Sequence, residues 1–250
     1  MLPPERYNYM GVEINATNLQ ETVDYLLRYN YEKVNYVLFP DSAVVAHVQK
    51  DETLRKILNQ SLLTLPDGLP SALYARHKGF KHVSTVSGFS LCHRLLNSGL
   101  SHYFLGSSAD TVRKIKHNLE KEYPAAKILG YQSLPFYEVE YYKRGFLLEE
   151  EINEVNRLKP DLIWIGISSP KQDYLIHSNL SRFNHGVLLG VGAVFDYLSE
   201  DQKKSPEWVK QIGFRWLWRL LKEPKRLGPK YWTVIKFYLR MIWRKIVKAI

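Results

Sequence analysis

Short apolar runs alternate along this chain with longer stretches of helical period. Four runs, 35–39, 102–105, 161–165 and 186–189, are rich in β-branched and aromatic residues and predict strands. Each leads through small or polar residues toward a helical pattern. After the first come Pro40, Asp41 and Ser42 and then AVVAHVQKD, with Asp41 or Ser42 as the candidate N-cap. After the second, Gly106, Ser107 and Ser108 precede TVRKIKHNLEKEY, which stops before Pro124 as helices do. After the third, Gly166 to Pro170 precede KQDYLIHSNL, and Pro170 suits a first helical turn. The fourth runs into Gly190, Val191 and Gly192 and on to Phe195 and Asp196.

Repetition of strand, small residues and helix predicts an α/β body: a doubly wound, Rossmann-like, mostly parallel sheet with helices on both faces. In such sheets ligands sit beyond the carboxyl ends of the strands, where glycine admits close backbone approach and helix N-termini offer N–H groups to anions. Gly106, Ser107, Gly190 and Gly192 are therefore candidate ligand contacts, with tight turns as the plain alternative. Neither G-x-G-x-x-G nor G-x-x-x-x-G-K-[ST] occurs, which disfavours an NAD-dependent oxidoreductase and P-loop chemistry. H-E-x-x-H and D-x-D are absent too, so a reaction without metal or cofactor is the economical expectation.

Charge divides the chain near residue 202. Of a net +10, the stretch 203–250 carries fourteen Lys and Arg against Glu207 and Glu223, leaving 1–202 slightly acidic. Five of the six tryptophans lie in the same stretch. We therefore expect a body, 1–202, and a basic helical appendage, 203–250. Lys236, Arg240, Arg244 and Lys248 recur every four residues, and Trp232, Ile235, Leu239 and Trp243 lie largely on other faces. That pattern suits an amphipathic helix on an anionic membrane surface, with Lys236, Arg240, Trp243, Arg244 and Lys248 as the binding set. The alternative is a helix packed by its apolar face on the body. An acidic body and no nucleic-acid motif argue against nucleic acid as partner.

The N-terminus has no signal-like apolar run, no window is long enough to span a membrane, and the lone Cys92 excludes an internal disulfide. A cytoplasmic protein, peripheral on the inner face of the cell membrane, is the expected setting. Tryptophan and tyrosine of the body suit either core or homo-oligomer contacts, which periodicity does not separate.

Among carboxylates, Asp67 sits in Leu65-Pro-Asp67-Gly68-Leu-Pro70, where flanking Pro and Gly fix a turn. It either points into a cleft or caps its own backbone. Asp41 has the same choice between ligand and cap. Asp196 reads as a site residue or a polar loop residue, and Gln172 as a donor to phosphate or sugar oxygen or as a solvent-facing side chain.

Phe39-Pro-Asp41, Pro66-Asp67-Gly68, Ser87-Gly88-Phe89, Phe104-Leu-Gly106, Ser169-Pro-Lys-Gln172, Gly190-Val-Gly192 with Phe195-Asp196, and Trp216-Leu-Trp-Arg219 with Glu223-Pro-Lys-Arg226 occur in this order. Together they resemble the WecG/TagA/CpsF family of bacterial glycosyltransferases. The resemblance implies inverting transfer of a sugar from a UDP-sugar to a polyprenyl-diphosphate-linked saccharide in polysaccharide or cell-wall polymer synthesis. It also implies that Asp67 is the base, that the strand ends near Gly106 and Gly190 hold UDP, and that Gln172 lies close to the diphosphate or sugar. Arg219 and Arg226 would fold over the site from the appendage. Phe39-Pro-Asp41 stands where the family usually has Thr-Pro-Asn, and Thr85-Val-Ser-Gly88 where it has Arg-Val-x-Gly. The lost Arg fits a neutral donor better than a uronate. These departures keep open a second expectation, an inactive nucleotide-sugar-binding or membrane-docking module.

Overall fold

The computed structural model describes residues 2–145, 148–199, 224, 225, 228, 232 and 234–239. A hairpin of β1 (Arg6–Tyr9) and β2 (Val12–Asn15) opens the chain, followed by α1 (Leu19–Leu27), β3 (Asn35–Leu38), α2 (Ser42–Val48), α3 (Glu52–Gln60) and β4 (Leu63–Thr64). Next come α4 (Leu69–His77), α5 (Gly88–Leu95), β5 (Ser101–Leu105), α6 (Ala109–Glu122) and β6 (Lys127–Gln132). The body closes with α7 (Val139–Lys143), α8 (Glu149–Leu158), β7 (Leu162–Ile165), α9 (Lys171–Asn179), β8 (Val187–Gly190) and α10 (Val194–Ser199).

All four expected strands form, and β4 and β6 add the two edges of a six-stranded sheet in the order β4-β3-β8-β7-β5-β6. Every pair in it is parallel. Strand side chains alternate between two cores, as the pleat requires. On one face Leu38, Leu105, Ile163, Ile165 and Leu188 pack with α2, α3, α8 and α9. On the other Val37, Phe104, Leu162, Trp164 and Leu189 pack with α1, α5, α6 and α10. Helices therefore cover both faces, and the near-continuous apolar strands follow from that double burial.

Registers align the strand ends. Thr64, Leu38, Gly190, Ile165, Leu105 and Gln132 lie in one row across the sheet. The segments beyond that row carry most of the candidate site residues.

Trp164 is completely buried and belongs to the core. Cys92 is a buried free thiol whose pKa burial raises, as a structural cysteine requires. Residues 234–239 are helical, with Phe237 packed against the first core. Among the described residues no helix is long and apolar enough to cross a membrane.

Candidate active site

Strand order locates a crevice. β5 leads to β6 on one side, β7 leads to β8 on the other, and β5 and β7 are neighbours. Connections diverge at this pair, which is where open α/β sheets bind ligands. The two loops meet backbone to backbone: Gly106 has φ +129°, and a Cβ there would lie 3.0 Å from the N, C and O atoms of Gly166. Only glycine fits that approach. Ser107 and Ser168, one in each loop, both hold left-handed backbone, with φ +62° and +71°. Such conformations in non-glycine residues cluster at functional loops.

Gln172 and Asp173 open α9 and are 4% and 2% exposed, so Gln172 faces inward and not toward solvent. Its Nε2 donates to the Gly190 carbonyl at 2.7 Å, which ties the β7 loop to the end of β8. Its Oε1 is buried without a hydrogen-bond partner, and a Cβ on Gly192 would stand 3.3 Å from it. Gln172 thus holds an unpaired acceptor beside Gly192, and its amide nitrogen carries a second N–H besides the one given to Gly190. Ser169 Oγ donates to Asp173 Oδ2. Burial, with the negative field of Asp41 added, pushes the Asp173 carboxyl up to about 7 against the lowering from its hydrogen bonds.

Asp41 lies just past β3 and caps α2, its Oδ1 accepting from the N–H groups of Ala43 at 2.9 Å and Val44 at 3.0 Å. The capping alternative is thus realised, at the rim of the site. Asp67 lies beyond β4 and is half-buried. Its N–H donates to Leu65 O at 2.8 Å, and Pro66 O accepts from Val86 N at 3.0 Å, which braces the turn against the chain entering α5. The N-cap of α4 falls on Gly68, with φ +119° and no side chain to cap with. Phe39 is half-buried against the second core, Thr85 is exposed, and Asp196 is half-buried in the first turn of α10, where a polar loop was the alternative.

Asp67, Asp41, Gly190, Gly192, Gln172, Gly106 and Ser107 thus share one edge of the sheet. Four strand spacings separate β4 from β5, about 19 Å along the sheet, so a ligand touching both ends must be extended. Among the described residues no three His, Cys, Asp or Glu side chains gather closely enough to hold a metal ion.

A model of the glycosyl transferase family WecG/TagA/CpsF matches residues 7–249. The chain belongs to that family. It is similar to an N-acetylglucosaminyldiphosphoundecaprenol N-acetyl-β-D-mannosaminyltransferase of Bacillus subtilis (strain 168), 28% identical over 88% of this chain and 87% of the relative. Proteins of the same name from Bacillus spizizenii and Staphylococcus aureus (strain MW2) are 23% and 22% identical, covering 72% and 98% of this chain and 70% and 96% of theirs. This member is a glycosyltransferase by family.

Tyr238, in the helical residues 234–239, reaches that edge of the transferase. Its hydroxyl lies 2.9 Å from Ser42 Oγ, beside Asp41, and 3.0 Å from the hydroxyl of Tyr9 in β1. Lys236 is exposed, 5.2 Å over the Trp232 ring. Arg219, Arg226, Arg240, Trp243, Arg244 and Lys248 lie outside the described residues. Asp173 and Tyr238 were not singled out in the sequence. Asp173 had no readable signal: α9 is mainly polar in sequence, KQDYLIHSN, and its burial comes from the elements packed around it.

Proposed function

We propose that this chain transfers a sugar, with inversion, from a UDP-sugar to a hydroxyl of a polyprenyl-diphosphate-linked saccharide. The observation that carries the reading is the shared edge: a half-buried carboxylate, Asp67, on a braced turn at one end and two abutting loops with helix N-termini at the other. Undecaprenyl-diphosphate sugar in the relatives' names supports the acceptor class.

The diphosphate takes backbone N–H groups at the Gly106–Ser107 and Gly166–Ser169 loops. Gln172 Oε1, an acceptor lacking a partner, suits a hydroxyl or amide N–H of the sugar and not a phosphate oxygen. As the acceptor hydroxyl oxygen bonds to the anomeric carbon, the bond from that carbon to the diphosphate oxygen breaks and UDP leaves with the electron pair. Asp67 takes the hydroxyl proton. A single displacement assisted by one base inverts the anomeric centre.

The basic appendage holds the enzyme to the inner face of an anionic membrane, where a polyprenyl acceptor is confined. Exposed Trp232, Ile235 and Leu239, with Lys236 beside them, support that reading. The family resemblance assigns Arg219 and Arg226 of the same appendage to the departing UDP; the hydroxyl of Tyr238 lies on Ser42, beside Asp41.

Incubating full-length protein with a panel of UDP-sugars and a short-chain polyprenyl-diphosphate-linked saccharide tests this. Transfer from one donor with UDP release supports it. UDP binding without turnover across the panel would replace it with the inactive-module reading.

A further inference from the structure

Helix α4 is turned inside out. Its buried residues are the small Ser71, Ala72 and Ala75, while Leu69 and Leu73, one turn apart on a single stripe, are 59% and 50% exposed. An amphipathic surface helix normally buries its large apolar side chains. Scattered exposed leucines need no explanation, but these two form a stripe that starts two residues after Asp67.

A chain of tyrosines links α4 to a second element with exposed apolar residues. Tyr74 of α4 packs on Tyr9 with ring centroids 5.2 Å apart, and the Tyr9 hydroxyl meets Tyr238 at 3.0 Å. Around Tyr238, Phe237 packs on the core, whereas Trp232, Ile235 and Leu239 are 56%, 48% and 59% exposed. Exposed apolar side chains thus occur on both elements that flank the Tyr74–Tyr9–Tyr238 contact.

We infer that the Leu69–Leu73 face of α4 receives the first isoprene units of the acceptor's lipid chain. The inference rests on the proposed function, because it needs the acceptor hydroxyl at Asp67. Hydroxyl, diphosphate and lipid belong to one molecule, so with the hydroxyl at Asp67 the sugar and diphosphate set the lipid's start about 10 Å away, a distance that α4, rising about 1.5 Å per residue, covers between Asp67 and Leu73. α4 begins at that turn and offers apolar side chains there. The appendage's exposed row then carries the path toward the bilayer from which the chain is drawn.

Two acceptors with the same sugar diphosphate, one on a long polyisoprenyl chain in detergent and one on a short water-soluble chain, test this with full-length protein. Wild type should show a KM for the long chain lower by about 10- to 100-fold, the gain expected from covering two half-exposed leucines. Leu69→Ser/Leu73→Ser should lose that preference while transferring to the short chain at the wild-type rate. Leu73→Gln, further from Asp67, should lose part of it. Retention of the preference in the double variant overturns the inference. So does loss of short-chain transfer in both variants, since the leucines would then serve the fold or the sugar. Sedimentation with anionic vesicles lacking acceptor should be unchanged, and a drop there with the preference intact assigns the leucines to the bilayer instead and overturns the lipid track. Wild type that transfers to neither acceptor overturns the proposed function, and this inference with it.

Discussion

Asp41 and Asp67 stand beyond the ends of adjacent parallel strands, on segments that each precede a helix, yet their helices treat them differently. α2 takes Asp41 as its N-cap, with two backbone N–H groups on one carboxylate oxygen. α4 takes Gly68, one residue after Asp67, as its N-cap. Two aspartates at similar places thus differ: Asp41 holds its helix, and Asp67, the proposed base, leaves the cap of its helix to Gly68. After Asp67 comes Gly68 at φ +119°, and the cap position of α4 falls on that glycine, one residue beyond the aspartate.

The sharpest way to break this contrast is substitution by Asn at both positions. Asp67→Asn removes the proposed base and should lower kcat by about 10²- to 10⁴-fold, with UDP affinity by calorimetry nearly unchanged. Asp41→Asn keeps a good cap and should leave both stability and kcat close to wild type. Equal losses at the two positions would show that Asp41 also acts on the substrate.

A third carboxyl, Asp173, gives the next largest effect and a pH signature. Its folded pKa of about 7 lies well above the usual carboxylate range, so between the two values the folded state keeps a proton that the unfolded chain releases. Its contribution to stability therefore falls as pH rises from about 4 to 7 and is level above that. Asp173→Asn should stabilise the protein at pH 8 by on the order of 2 kcal/mol and change little at pH 4, measured by urea titration at both values. A variant whose advantage is the same at both would refute the assignment.

Smaller effects sharpen the comparison further. Asp41→Ala should cost about 1 kcal/mol in urea unfolding, the ordinary worth of a cap. Tyr238→Phe, which removes the hydroxyl beside Ser42 and Tyr9, should cost about 0.5–1 kcal/mol and lower Tm by a few degrees.

What could be read in the amino acids follows from how local each cause is. The four central strands and the cap at Asp41 are written in contiguous patterns of apolar run, small residues and helix. β4 has two residues, too few for any period to show, and only its pairing with β3 defines it. β6 is an edge strand interrupted by Gly130, whose Cβ would fall 2.4 Å from the Tyr103 ring, so its sequence answers to a neighbour and not to its own pleat. The β1–β2 hairpin turns through Met10 and Gly11 at φ 56° and 87°, without the Asn-Gly or Asp-Gly pair that marks such turns. For the candidate site, the glycines were legible as strand-end positions from loop composition alone, while composition left Asp67 open between a cleft and its own backbone. The inward turn of Gln172 and the burial of Asp173 were not legible, since both depend on β8 and α2 lying beside α9. Tyr238 was hidden for the same reason, being defined by partners more than 190 positions away.

The row formed by Thr64, Leu38, Gly190, Ile165, Leu105 and Gln132 separates two kinds of heredity. Below it, the residues of β3, β5, β7 and β8 answer to packed neighbours, and change is confined to what the packing tolerates. Above it, Phe39, Thr85 and the serines after Gly106 and Gly166 sit in connections whose length and chemistry can drift without altering a single pairing. A lineage can thus alter what the strand-end loops present to a ligand by rewriting a few positions on an inherited frame.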